Sequence, residues 1–133
     1  MNSTLRSILA VITGIALGSI VNMLLVTLGH ALIPPPGDTS TMEAMKESLL
    51  LFQAKDFIFP FVAHAGGTFV GAYIAARIAT NKKKRAAMVI AVVFLLGGIS
   101  MIVMLPSPLW FTILDLLGAY IPMAWIGWKL AEK

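Results

Sequence analysis

Three interruptions, a long one at residues 34–56 and two short ones, divide this chain into four apolar stretches, at residues 7–33, 57–79, 86–105 and 109–131. Each is as long as the ~20 residues a helix needs to cross the hydrocarbon of a bilayer. A backbone in lipid has no water to bond to, so a spanning segment must satisfy its own N–H and C=O groups. Stretches of this length without apolar/polar alternation do so as helices, not as barrel strands. The expectation is an all-α, four-transmembrane-helix bundle forming a single integral membrane domain over residues 1–133. Charge agrees, because only 12% of residues are charged and mean hydropathy is +0.90, whereas soluble domains carry about a quarter charged residues.

The cations give the bundle a direction. Arg6, Arg77, Lys82, Lys83, Lys84, Arg85, Lys129 and Lys133 fall on one side of a four-span model, and Lys46 and Lys55 fall on the other. Lys and Arg are retained on the cytoplasmic face, so both termini are expected in the cytoplasm, in a multi-pass protein of the bacterial inner (plasma) membrane. The first apolar stretch exceeds the ~7 to 15 residues of a signal-peptide core and reads as a retained helix. The net charge of +4 does not suggest nucleic acid, since the basic residues flank apolar runs and are not interleaved with aromatics on a soluble face. The lipid bilayer is the expected partner. With no cysteine, the chain has no disulfide framework, thiolate metal site or thiol nucleophile. His30 and His64 lie at different depths and supply no closed ligand set, although a symmetric dimer would present His64 twice. No metal and no cofactor are expected.

The connection over residues 34–56 has structure of its own. "PPPG" makes a stiff exit from the first helix, and "STME" from Ser40 matches a capping box that would start another. Met42, Met45, Leu49 and Phe52 then recur three or four residues apart, as in an amphipathic helix lying on the membrane surface or capping the bundle. Phe57, Phe59, Trp110 and Phe111 near one set of helix ends, with Trp125 and Trp128 near the other, read as interfacial anchors.

Small residues recur every four positions in two helices. Ala10, Gly14, Gly18 and Asn22 do so in the first, and Ala63, Gly67, Gly71, Ala75 and Ala79 in the second. Such ridges let two backbones approach closely, which is how membrane helices gain packing energy. Gly14, Gly18, Gly67 and Gly71 are therefore the expected helix-packing residues, either within one chain or between subunits.

The polar groups inside the spans are the candidate functional residues: Asn22, His64, Ser100 and Asp115. At ~1.5 Å of rise per residue, His64, Ser100 and Asp115 each lie on the order of 6 to 7 Å outward of their helix centres. A lone carboxylate in a bilayer costs roughly 3 kcal/mol or more, so Asp115 needs a partner, and His64 is the best placed. Desolvation favours the neutral forms of both groups and a direct pair favours the charged ones. Such a pair suits a proton relay or a polar substrate contact, and equally a hydrogen bond that fixes helix register. Pro122 removes a backbone bond inside the last span, so "GAYIP" reads as a kink.

"AHAGGTFVG" is similar to the histidine-bearing helix of rhomboid intramembrane proteases. That family carries its serine in a G-x-S-G motif on an earlier helix and has six spans. Here "GISM" comes later and lacks the final glycine, which argues against an enzyme. Over its whole length the pattern "VNMLL…IPPPG…FPFVAHAGGTFVGAYIA…LLGGISMI…PLWF…LDLLGAYIPMAWIG" resembles a group of small bacterial four-helix integral membrane proteins of unassigned activity. The resemblance implies an inner-membrane location and transfers no functional residue. Two functions follow as expectations. One is a small oligomeric transporter or channel whose polar track is Asn22, His64, Ser100 and Asp115, with the solute path between subunits. The other is a non-catalytic accessory subunit whose glycine ridges dock a larger membrane complex.

Overall fold

The computed structural model describes residues 1–133 and is all-α. Helix α1 covers Ser3–Leu32, α2 Met42–Leu49, α3 Ile58–Ile78, α4 Lys83–Met104, α5 Leu109–Gly118 and α6 Ile121–Glu132. A 3₁₀ turn, Ala54–Phe57, leads into α3. Four units are long and apolar enough to cross a membrane: α1, the 3₁₀ turn with α3, α4, and α5 with α6.

Local chemistry sets the boundaries. Helix α1 starts earlier than residue 7 because the Asn2 side chain accepts a 2.8 Å bond from the Leu5 N–H, satisfying one of its free donors. Its 30 residues extend ~45 Å, well beyond a hydrocarbon core of ~30 Å. The capping box expected at Ser40 does not form, and the helix cap lies one residue later. Thr41 caps α2 by accepting from the Ala44 N–H at 3.1 Å. Ser40 instead donates its N–H and hydroxyl to Asp38, both at 2.9 Å. The competition is local, since an aspartate two residues upstream offers Ser40 a turn that a helix start would forgo. At the α3–α4 turn Lys82 adopts a left-handed conformation, φ 54°. The last span is broken outright at Ala119–Tyr120, a stronger effect than the expected kink. Pro122 sits in the first turn of α6, where its missing N–H is harmless, and the break spares its ring a clash with the Gly118 carbonyl.

Helix α3 is the hub. In its most apolar window 39% of residues are buried, against 17% for α1 and for α4. Helices α1 and α3 run antiparallel along a seam in which the two glycine ridges face each other within one chain. A Cβ built on Gly14 would lie 2.6 Å from the Gly71 carbonyl oxygen, and one on Gly71 would lie 2.7 Å from that of Gly14. Gly18 and Gly67 repeat the arrangement at 2.6 and 2.7 Å. On the other side of α3, Gly127 of α6 packs against the Phe69 carbonyl in the same way. The seam is tied at its end by Arg6, whose Nε donates to the Ile78 carbonyl at 2.7 Å and so satisfies an end group of α3.

The core is inverted relative to a soluble protein. Its main cluster is alanine from four helices, α1, α3, α4 and α6, with Ile90 as the one bulky member, while residues such as Leu24, Leu96, Val103 and Leu117 are more than half exposed. Water would not tolerate so large an apolar surface, and lipid does. The aromatic expectation needs one correction. Phe57 and Phe111 are buried, at 4% and 6% exposure, and form a cluster with Phe52 and Trp110. Trp110 and Trp125 remain half exposed, as anchors require. The Phe cluster packs inward because the 3₁₀ turn before α3 places Phe57 against the start of α5.

Candidate functional site: a buried histidine–aspartate pair under an open cavity

Helices α3 and α5 start at the same end of the bundle and run in the same direction. His64 and Asp115 each lie six residues past the helix start, hence ~9 Å along the axis, and the equal offset brings them level. Nδ1 of His64 is 2.8 Å from Oδ1 of Asp115 and 3.0 Å from Oδ2. The Asp115 side chain is 5% exposed and that of His64 30%. With Asp115 as the carboxylate, the Nδ1–H donates to both oxygens. That fixes the imidazole orientation and leaves Nε2 without a protein partner.

Two features of the site were not legible from residue spacing. Tyr120 donates its hydroxyl to Asp115 Oδ2 at 3.3 Å and stacks on the His64 ring, centroids 5.9 Å apart. Five residues on from Asp115, it would face elsewhere on an unbroken helix, and only the break at Ala119–Tyr120 turns it inward. The break also explains Gly98 of α4, where any Cβ would collide with the Tyr120 phenol. Pro122 carried the only sequence signal for this arrangement.

Above the pair lies a cavity of about 460 Å³. His64, Asp115 and Gly98 line its deep end together with Asn22 of α1. Met45, Leu49 and Phe52 of the α2 region roof it, so that part of the expected apolar face covers the bundle, while Met42 at the start of α2 is exposed. His30 lines the cavity too, as do Ser107 and Thr112, whose hydroxyls are 2.7 Å apart. Below Asn22 the space is closed by the Gly18–Gly67 seam and the Phe94 ring against it. Three members of the expected polar track, Asn22, His64 and Asp115, are thus brought to one cavity. Ser100 is not. It is exposed on α4 and donates its hydroxyl to the Leu96 carbonyl one turn back at 2.9 Å. Depth alone grouped it with the pair, whereas the helical rotation of α4 turns it away.

The chemistry available is that of one oriented imidazole. Asp115 holds the ring and compensates positive charge on it, while Nε2 can exchange a proton or a hydrogen bond with the cavity. His64 and Asp115 are two potential metal ligands, and no third His, Asp or Glu joins them. Removing His64 would leave the buried Asp115 with only the Tyr120 hydroxyl, which costs about 3 to 5 kcal/mol when the carboxyl is charged.

Four packed spans around a buried imidazole–carboxylate pair define a polytopic helical membrane protein. No family model, curated protein or solved structure matches the chain. Its four long apolar helices make it a small four-helix membrane protein, and the comparisons place it in no family.

Proposed function

We propose that the protein is a small, non-enzymatic solute transporter of the bacterial inner membrane, with both termini cytoplasmic and His64–Asp115 as its proton-exchanging centre. The observation that carries this reading is the open cavity that ends on the pair. A hydrogen bond serving only helix register would be expected in a dry, closed core. The cavity is mixed in character, with thioether and aromatic walls and a few convergent polar groups, which is the composition of a site for a small amphipathic solute. The accessory-subunit reading calls for an exposed small-residue face, and Gly14, Gly18, Gly67 and Gly71 are instead used against one another inside the chain. Because the seam beneath Asn22 is closed by backbone contact, we assign the rest of the path to the interface of a homo-oligomer.

The test is flux into proteoliposomes loaded with a pH-sensitive dye, comparing the intact protein with His64→Ala and Asp115→Asn at matched insertion. Proton-linked flux that falls at least tenfold in both variants is the expected result. Absence of flux from the intact protein, or equal flux in all three, would overturn the proposal.

A further inference from the structure

At the opposite end of the bundle a second cavity, about 510 Å³, opens between the starts of α1 and α4. Its walls change character along the membrane normal, and they do so in step. On α1, Ser3, Thr4 and Ser7 give way to Ile8, Val11 and Ile12. On α4 and the turn before it, Asn81, Lys82 and Arg85 give way to Ala86 and Val89. From Ser3 to Ile12 the groove is ~14 Å deep, with a polar mouth of about one helical turn over an apolar slot. It stops where Ile90 wedges against Gly14, within 3.0 Å of the position a Cβ would take there.

The mouth is cationic and uncompensated. Of the four consecutive cations from Lys82 to Arg85, Lys84 lies over the Trp128 ring at 5.0 Å. Arg6 is turned away to the end of α3. Lys82 and Arg85 are left lining the groove, and none of the chain's ion pairs, Lys46–Glu43, His64–Asp115 and Lys129–Glu132, includes either of them. The one carboxylate side chain at this end of the bundle is Glu132. Hydroxyl and amide groups beside two unpaired cations match a phosphodiester with its glycerol. The apolar slot below, with Ile8, Ile12 and Val89 38% to 56% exposed, matches the upper methylenes of an acyl chain.

We infer that the α1–α4 groove is a binding site for one anionic phospholipid, its phosphate held by Lys82 and Arg85 and its chain laid along Val11, Ile12 and Val89. Free phosphate would use the mouth alone, whereas a phospholipid uses both halves of the groove.

The experiment is native mass spectrometry of the full chain reconstituted in phosphatidylcholine vesicles containing one-tenth phosphatidylglycerol. One phosphatidylglycerol should be retained in preference to phosphatidylcholine. K82A/R85A should weaken its retention roughly 30-fold, about fivefold per cation at a membrane surface. R77A/K133A removes two cations from the same end outside the groove and should change it less than threefold. Val89→Trp, which fills the slot and leaves the cations in place, should also displace the lipid. Equal loss in R77A/K133A would reduce the effect to diffuse attraction and overturn the site. So would absence of a preference for phosphatidylglycerol, retention in Val89→Trp, or displacement by millimolar inorganic phosphate.

Discussion

Replacing Gly18 with alanine tests the α1–α3 seam that floors the cavity. The added methyl would start 2.6 Å from the Gly67 carbonyl oxygen and 2.9 Å from the Phe94 ring. The ring can swing, but the carbonyl belongs to the backbone of the most buried helix. Reaching the 3.4 Å of ordinary contact demands about 0.8 Å of retreat, and Gly67 reciprocates against α1, so one seam position cannot yield alone. Overpacking of this kind costs about 1 to 3 kcal/mol. Alanine also favours the helix over glycine by up to about 1 kcal/mol, which partly offsets the cost. Gly97→Ala separates the two effects, because a Cβ there meets nothing within 4 Å and gains the helix term alone. Gly18→Ala should therefore be about 1 to 3 kcal/mol less stable than Gly97→Ala, read from far-UV circular dichroism during unfolding in mixed dodecylmaltoside and SDS micelles. Equal stability of the two variants would refute close packing at this seam.

Thr68 is fully buried with a hydroxyl that has no hydrogen-bond partner, so Thr68→Val should stabilise the protein by about 1 kcal/mol in the same titration; a loss of stability would mean the hydroxyl is satisfied. Tyr120→Phe removes the 3.3 Å bond to Asp115 and should cost roughly 1 kcal/mol. Gly98→Ala, which displaces the same phenol, should cost more, and the reverse order would count against the packing of Tyr120 on α4. Asp38 is held below the usual carboxylate value of 3.8, chiefly by the Ser40 N–H and then by its hydroxyl. Because the folded carboxyl is the stronger acid, the turn's contribution is complete above 3.8 and is lost as pH falls through the lower folded value. The Ser40 amide resonance in micelles should therefore titrate below pH 3.8, and a midpoint at or above it would rule the turn out.

How much of the fold could be read from residues depended on the range of the interaction involved. The four spans were legible because each is a local property, ~20 apolar residues in a row. The α1–α3 seam was nearly so, since a four-residue glycine period leaves few other uses for the face it marks. That Gly14 meets Gly71 and Gly18 meets Gly67 within one chain could not be read, because a ridge specifies a close partner without naming it. The start of α2 went astray by one residue for a smaller reason, the rival claim of Asp38 on Ser40.

Within the site, pairing His64 with Asp115 needed only two numbers, the depth of each residue and the high cost of a lone carboxylate in lipid. Depth then misled at Ser100, because it is one coordinate of two and the rotation of α4 supplies the other. Tyr120 required more again. A proline two residues on had to break the last span, the break had to turn the phenol back toward Asp115, and α4 had to present a glycine where the ring arrives. Each step is ordinary alone, and together they make Gly98, Tyr120 and Pro122 one unit that holds the carboxylate from below while the cavity reaches the imidazole from above. The polar centre thus has a rigid side and an open side. That asymmetry is what the proposed proton exchange would require, since Asp115 is held by Nδ1 of His64 and by Tyr120 while Nε2 of His64 has no protein partner.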